Sequence, residues 1–91
     1  MLRFQTTKQY RKDQKRAINR GLSLKLLDDV LQVLKEGKSL DLKYNDHALI
    51  GNYTGFRECH VQPDFLLIYA IDKGKLILTG IRIGTHSDLF R

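Results

Sequence analysis

The chain has one cysteine, one proline and no apolar run approaching the roughly 20 residues that cross a bilayer. Cys59 alone excludes an internal disulfide, and without a second thiol or a closely spaced histidine it does not suggest a metal cluster. The HxH, HExxH and CxxC spacings of common metal sites are also missing. A dispersed trio such as His47, His60 and His86 stays open as a ligand set, but neither a metal nor another cofactor is expected. Proline and glycine are too few for a low-complexity chain, and 42% hydrophobic with 29% charged residues suits one core in one domain spanning residues 1–91. The first seven residues lack the apolar stretch and small-residue cleavage site of a signal peptide, so a cytoplasmic protein with no membrane association is expected.

What is abundant is positive charge. The formal net charge is +6, and Lys8, Arg11, Lys12, Lys15, Arg16 and Arg20 crowd one short stretch in which Asp13 is the only acid. On a helix these residues form a broad cationic face, suited to nucleic acid, an anionic membrane surface or an acidic protein segment. Lys12, Lys15 and Arg16 are the candidate substrate-binding residues within it. A solvated surface helix would carry the same charges.

The pattern of elements reads βααβββ, an α+β fold. Leu2 to Gln5 alternates as a short strand. Thr6 or Thr7 caps the basic helix, whose narrow apolar face is Tyr10, Ala17 and Ile18, and Gly21 stops it. Ser23 starts a second helix with a stripe of Leu24, Leu27, Leu31 and Leu34, closed by Gly37. Residues 38–54 read as an ordered loop carrying His47. Phe56 to Val61, Phe65 to Ile71 and Lys75 to Ile83 read as three strands of a mainly antiparallel sheet, with the helical hairpin on one face. Alternation is taken to turn Leu66, Ile68 and Ala70 toward the helices and Phe65, Leu67 and Tyr69 away from them. Thr85 and Asp88 match a capping box for a helical turn over residues 86–91.

All the histidines lie in the second half, each beside a turn or chain-end signal, and histidine is the side chain that titrates nearest neutrality. With Pro63 and Asp64 at the centre of a hairpin turn, Gln62 should face Phe65 and His60 should face Leu67, which would place His60, Gln62 and Phe65 on one face of the sheet. Cys59 would then point away from His60 and serve as a small buried apolar residue rather than as a nucleophile. Phe65 suits either base stacking or the core.

Three strings carry a family resemblance: Asp46-His47-Ala48-Leu49-Ile50-Gly51, then Phe56 through Tyr69 with His60 and Pro63-Asp64, then Arg82-Ile83-Gly84-Thr85-His86 through Leu89-Phe90. Together they follow the pattern DHxLxG, RxxHxxPDxxLxY, RxGxHxxLF, and the chain resembles the YafQ-type mRNA interferase toxins of the RelE/ParE superfamily over nearly its whole length. The resemblance implies a RelE-like fold and a toxin that cleaves mRNA in the ribosomal A site until a cognate antitoxin holds it inactive. The free toxin is expected to be monomeric. The family's catalytic positions fall on His47, His60, Asp64 and His86, and its nucleotide-orienting aromatics on Phe65 and Phe90. Relatives often carry tryptophan where this chain has Phe65, which keeps a stacking face but loses the indole donor.

Such cleavage uses the 2′-hydroxyl to attack its own phosphate, which requires a base, an acid and cationic donors around the phosphorane, and requires no metal. The side chains offer His47 as base and His86 as acid, or the reverse, with Asp64 fixing a histidine tautomer or itself acting as base, and His60 with Arg82 stabilising charge. Two other readings compete: a non-catalytic ParE-like gyrase poison, and a small basic nucleic-acid-binding module.

Overall fold

The computed structural model describes residues 1–90, so the predicted last turn is seen except for Arg91, which lies outside the described residues. Strand β1 is Arg3–Thr6, followed by helices α1, Lys8–Asn19, and α2, Leu24–Lys35. A 3-10 turn at Leu42–Tyr44, a two-residue strand β2 at His47–Ala48 and a second 3-10 turn at Gly51–Tyr53 occupy the segment read as a loop. Strands β3, Arg57–Gln62, β4, Phe65–Asp72, and β5, Ile77–Gly84, precede a terminal turn of helix, α3, at His86–Leu89. The sheet order is β1-β5-β4-β3-β2, antiparallel throughout except for the parallel β1/β5 pair. No helix among the described residues is long and apolar enough to cross a membrane.

Local chemistry explains the helix starts. The Thr7 hydroxyl accepts the Tyr10 N–H, and the Ser23 hydroxyl accepts the Leu26 N–H, so each helix has one of its orphan donors satisfied by its cap. Thr85 and Asp88 exchange hydrogen bonds in a complete capping box at α3. The α2 stripe of Leu27, Val30, Leu31 and Leu34 is buried against the sheet, each residue contributing roughly 1.5–3 kcal/mol relative to an exposed position. Helix α1 presses so closely on β5 that a Cβ at Gly80 would lie 2.7 Å from the Tyr10 ring, which only glycine avoids.

Two expectations about the sheet are corrected. Phe65, Leu67 and Tyr69 join the core beneath the helices, whereas Leu66 and Ile68 form a second cluster on the opposite face with Leu89. Strand β4 is buried on both sides, and its run Phe65-Leu66-Leu67-Ile68-Tyr69 has no polar residue to mark a face. In β3 a bulge lies between His60 and Gln62: Gln62 pairs with Phe65 as expected, but His60 pairs with Leu66 rather than Leu67. The extra residue separates His60 from Phe65, and His60 shares the face opposite α1 and α2 with its partner Leu66.

Asp13, read as the lone acid in a basic helix, is the least expected element of the fold. Strand β1 ends at Thr6, opposite Gly80, so the rest of β5 has no strand on its β1 side. Helix α1 completes that edge: the Thr7 hydroxyl donates to the Ile81 carbonyl at 2.8 Å, and Ile83 N–H donates to Asp13 Oδ2 at 3.2 Å. The buried Asp13 carboxylate also accepts from Gln9, Arg16 and Arg82.

Candidate active site

Three histidines from different elements stand in a row on the side of the sheet opposite α1 and α2. His47 comes from β2, His60 from β3 and His86 from the first position of α3. The His47 and His60 ring centroids are 6.3 Å apart, and those of His60 and His86 are 5.6 Å apart. Asp64, from the turn that joins β3 to β4, completes the group: its Oδ1 accepts the His86 backbone N–H at 2.9 Å and His86 Nδ1 at 2.7 Å. These two bonds hold the Asp64 carboxyl below the usual carboxylate range, so it is ionised near neutrality. An ionised partner assigns the proton to His86 Nδ1 and leaves Nε2 as the exchanging nitrogen.

His47 is fixed by the same logic. Its Nδ1 lies 2.7 Å from the Asn45 carbonyl oxygen, which can only accept, so this nitrogen carries hydrogen and Nε2 faces the cluster. The neighbouring Asp46 accepts from the Tyr69 hydroxyl at 2.7 Å and from Arg57 Nε at 3.2 Å, anchoring the short segment that presents His47. Between His47 and His60 lies Glu58, 5% exposed, whose Oε1 is 3.4 Å from the Nε2 of each ring. Its Oε2 is buried without a hydrogen-bond partner among the described residues. Cys59 faces the other way into the core, and burial pushes its thiol up to about 12, which removes it as a nucleophile.

The pairing of Asp64 with His86, and of Asp46 with Tyr69, gives a physical reason for the motifs these residues occupy. The family model for YafQ, described as a bacterial toxin of type II toxin–antitoxin systems, matches residues 2–91. The chain belongs to this YafQ family. The mRNA interferase toxin YafQ of Escherichia coli strain K12 is 39% identical over 84 residues, covering 90% of this chain and 88% of its own. A metal-bound toxin from Helicobacter pylori superimposes with a TM-score of 0.90 at 44% identity, covering 99% of this chain and 100% of its own. YafQ in the E. coli DinJ-YafQ complex superimposes with a TM-score of 0.87 at 32% identity over the whole of both chains.

Within this YafQ family member the other expected site residues are distributed unevenly. Phe90 is 45% exposed and meets Tyr53 edge-on at 5.8 Å between centroids, leaving ring surface open. Phe65 is corrected: it is fully buried under the helices and cannot stack on a nucleotide. Arg82 is not a free cation either, because its Nε and Nη2 bind Asp13 at 3.0 and 2.9 Å and its Nη1 reaches the Tyr53 hydroxyl at 3.5 Å. These hydrogen bonds raise its pKa further and fix the strand that leads into His86. Arg16 is tied to Asp13 and Asp88, and Arg20 binds both oxygens of Asp88, so α1 is latched to α3. Lys12 and Lys15 remain exposed.

Glu58, Asp13 and Tyr53 escaped the sequence reading. Strand alternation could have flagged Glu58, which must share a face with His60 two residues later. Asp13 gave only the weak signal of an acid among basic residues. As to metal, no group of three or more His, Cys, Asp or Glu among the described residues is arranged to hold an ion. The Nε2 atoms of His47 and His60 converge on one carboxylate oxygen, Glu58 Oε1.

Proposed function

We propose that the protein is an mRNA interferase that cuts mRNA on the ribosome by internal 2′-hydroxyl attack, and that a cognate antitoxin neutralises it. The observation that carries the chemistry is the His86–Asp64 pair, with its exchanging nitrogen directed by an ionised carboxylate and its ring 5.6 Å from His60. A phosphodiester laid across the row would meet imidazoles from both ends. One end takes the 2′-hydroxyl proton, while the other supplies a proton to the leaving 5′-oxygen.

His47 and His86 suit the base and acid roles, in either order, since each has Nδ1 committed to a backbone or carboxylate oxygen and presents Nε2. Asp64 is less suited to be the base, because its oxygen already accepts two N–H groups. His60 lies between them and, with Glu58 behind it, is placed to donate to the phosphorane oxygens. Arg82 serves by holding β5 and Tyr53, and Phe90 offers a ring for base stacking. Exposed Lys12 and Lys15 are available to ribosomal RNA phosphates.

The partner reading follows from the E. coli YafQ structure in complex with DinJ and from the net charge of +6, which favours an acidic segment. The test is cleavage of ribosome-bound mRNA, followed by analysis of product ends. A 2′,3′-cyclic phosphate or 3′-phosphate with a 5′-hydroxyl supports the mechanism. A 5′-phosphate end, or cleavage of a substrate with 2′-deoxyribose at the scissile position, rules it out.

A further inference from the structure

Next to the histidine row is a cavity of about 470 Å³ whose wall includes His60 itself. Its other sides are Leu26 of α2, Lys43 and Tyr44 of the first 3-10 turn, and Val61, Gln62 and Pro63 at the end of β3. We propose that this cavity is a base-binding subsite for a nucleotide flanking the scissile phosphate, with the base stacked on Tyr44 and read by Gln62. The proposal rests on the endoribonuclease reading of the neighbouring histidines and adds where sequence preference arises.

Gln62 is oriented for this. Its Oε1 accepts the backbone N–H of Ser23 at 3.1 Å, which fixes the carboxamide and leaves Nε2 without a hydrogen bond among the described residues. That donor can meet a ring nitrogen or carbonyl oxygen on a base edge. Tyr44 is half-buried, and Lys43 Nζ lies 5.2 Å from its ring centroid. A base entering the cavity replaces that cation on the aromatic surface and releases Lys43 toward a phosphate. Leu26, 40% exposed, with Val61 and Pro63 supplies the apolar sides that a planar ring requires.

The same place is also a sheet edge, because β2 begins at His47, opposite Glu58, and leaves the rest of β3 without a strand on that side. A peptide strand is the poorer occupant. The free stretch is short, and the bulge between His60 and Gln62 interrupts the ladder that strand addition needs. An aromatic face, an oriented amide donor and a cation in one cavity match a nucleotide better than a peptide backbone.

The experiment is cleavage of ribosome-bound mRNAs in which the nucleotides on either side of a fixed scissile bond are varied. Wild type is compared with Tyr44→Leu and with Leu26→Trp, which fills the cavity from the helix surface without removing core atoms. Leu42→Ala is the control, since Leu42 is 95% exposed and does not line the cavity. For the two cavity variants the expected result is a flattened nucleotide preference and a KM raised roughly 5- to 100-fold, the range of a lost base–aromatic stack, with kcat changed only a few-fold. Leu42→Ala should keep the wild-type pattern. Should Tyr44→Leu fail to fold in a thermal melt, Leu26→Trp carries the test alone. Wild-type preference and KM in an active, folded cavity variant overturn the subsite, as does loss of antitoxin affinity with unaltered cleavage. Absence of any cleavage by wild type overturns the nuclease reading and the subsite together.

Discussion

One oxygen of Asp64 holds His86 twice, through the backbone N–H that opens α3 and through the ring Nδ1. Position and tautomer of the imidazole therefore depend on a single exposed carboxylate. Asp64→Asn should lower kcat roughly 10- to 10³-fold with little change in folding, and His86→Ala should lower it roughly 10²- to 10⁴-fold. Single-turnover cleavage at saturating ribosome complex reads both. Equal rates for Asp64→Asn and wild type would remove Asp64 from the mechanism.

Glu58 is a buried carboxylate whose Oε1 lies 3.4 Å from each of two imidazole nitrogens. Glu58→Gln keeps its shape but removes its charge, so the pH–rate profile should change form and kcat should fall roughly 10- to 10²-fold. A purely structural Glu58 would leave the profile in place and alter only the melting temperature.

The Asp13–Arg82 pair ties α1 to β5, and its loss should appear as instability. Asp13→Ala strands Arg82, which is 19% exposed at its side chain, and the Ile83 N–H, at a cost of about 3–5 kcal/mol. At roughly 4–8 °C per kcal/mol for a domain of this size, the thermal midpoint should fall by at least about 12 °C. Arg82→Lys should recover little, because one ammonium cannot reproduce the two-nitrogen contact with the carboxylate.

Of the cationic residues of α1, Lys12 and Lys15 are exposed, whereas Arg16 is engaged by two carboxylates. Neutralising Lys12 and Lys15 should weaken ribosome binding and reduce the salt slope by about 0.7–0.9 per lost phosphate contact. Arg16→Ala should act chiefly on the α1–α3 latch and so on stability. A salt slope unaltered by the double lysine variant would mean that this face meets another partner.

Acid should loosen α3 before it unfolds the sheet. Burial raises the Asp88 pKa, but hydrogen bonds from Arg20 and Thr85 outweigh it and the net shift is downward, as it is for Asp64. For carboxylates lowered on folding, the stabilisation is complete above the unfolded value of about 4 and disappears as pH falls through the lower folded values. Amide protection in α3 relative to intrinsic exchange, followed from pH 6 to about pH 2, should fall over that window. Asp88→Asn should show low protection at every pH.

Local signals were legible in the sequence because they act within a few residues. Thr6-Thr7, Ser23 and Thr85 marked their helix starts, the leucine stripe of α2 marked its buried face, and Pro63-Asp64 marked the hairpin turn. His47, His60, Asp64 and His86 could be singled out together through the family motifs, and the fold does bring them together. Tertiary structure alone decided what depended on distant partners or on phase. Five successive apolar residues in β4 have no alternation to say which face meets the helices, and one bulged residue in β3 moved His60 away from Phe65. The capture of Arg82 by Asp13 spans 69 residues, and Glu58 acquired its place only when β2 laid His47 opposite it. Periodicity and capping are properties of neighbouring residues, whereas the pairing of buried charges is settled only when the chain closes on itself.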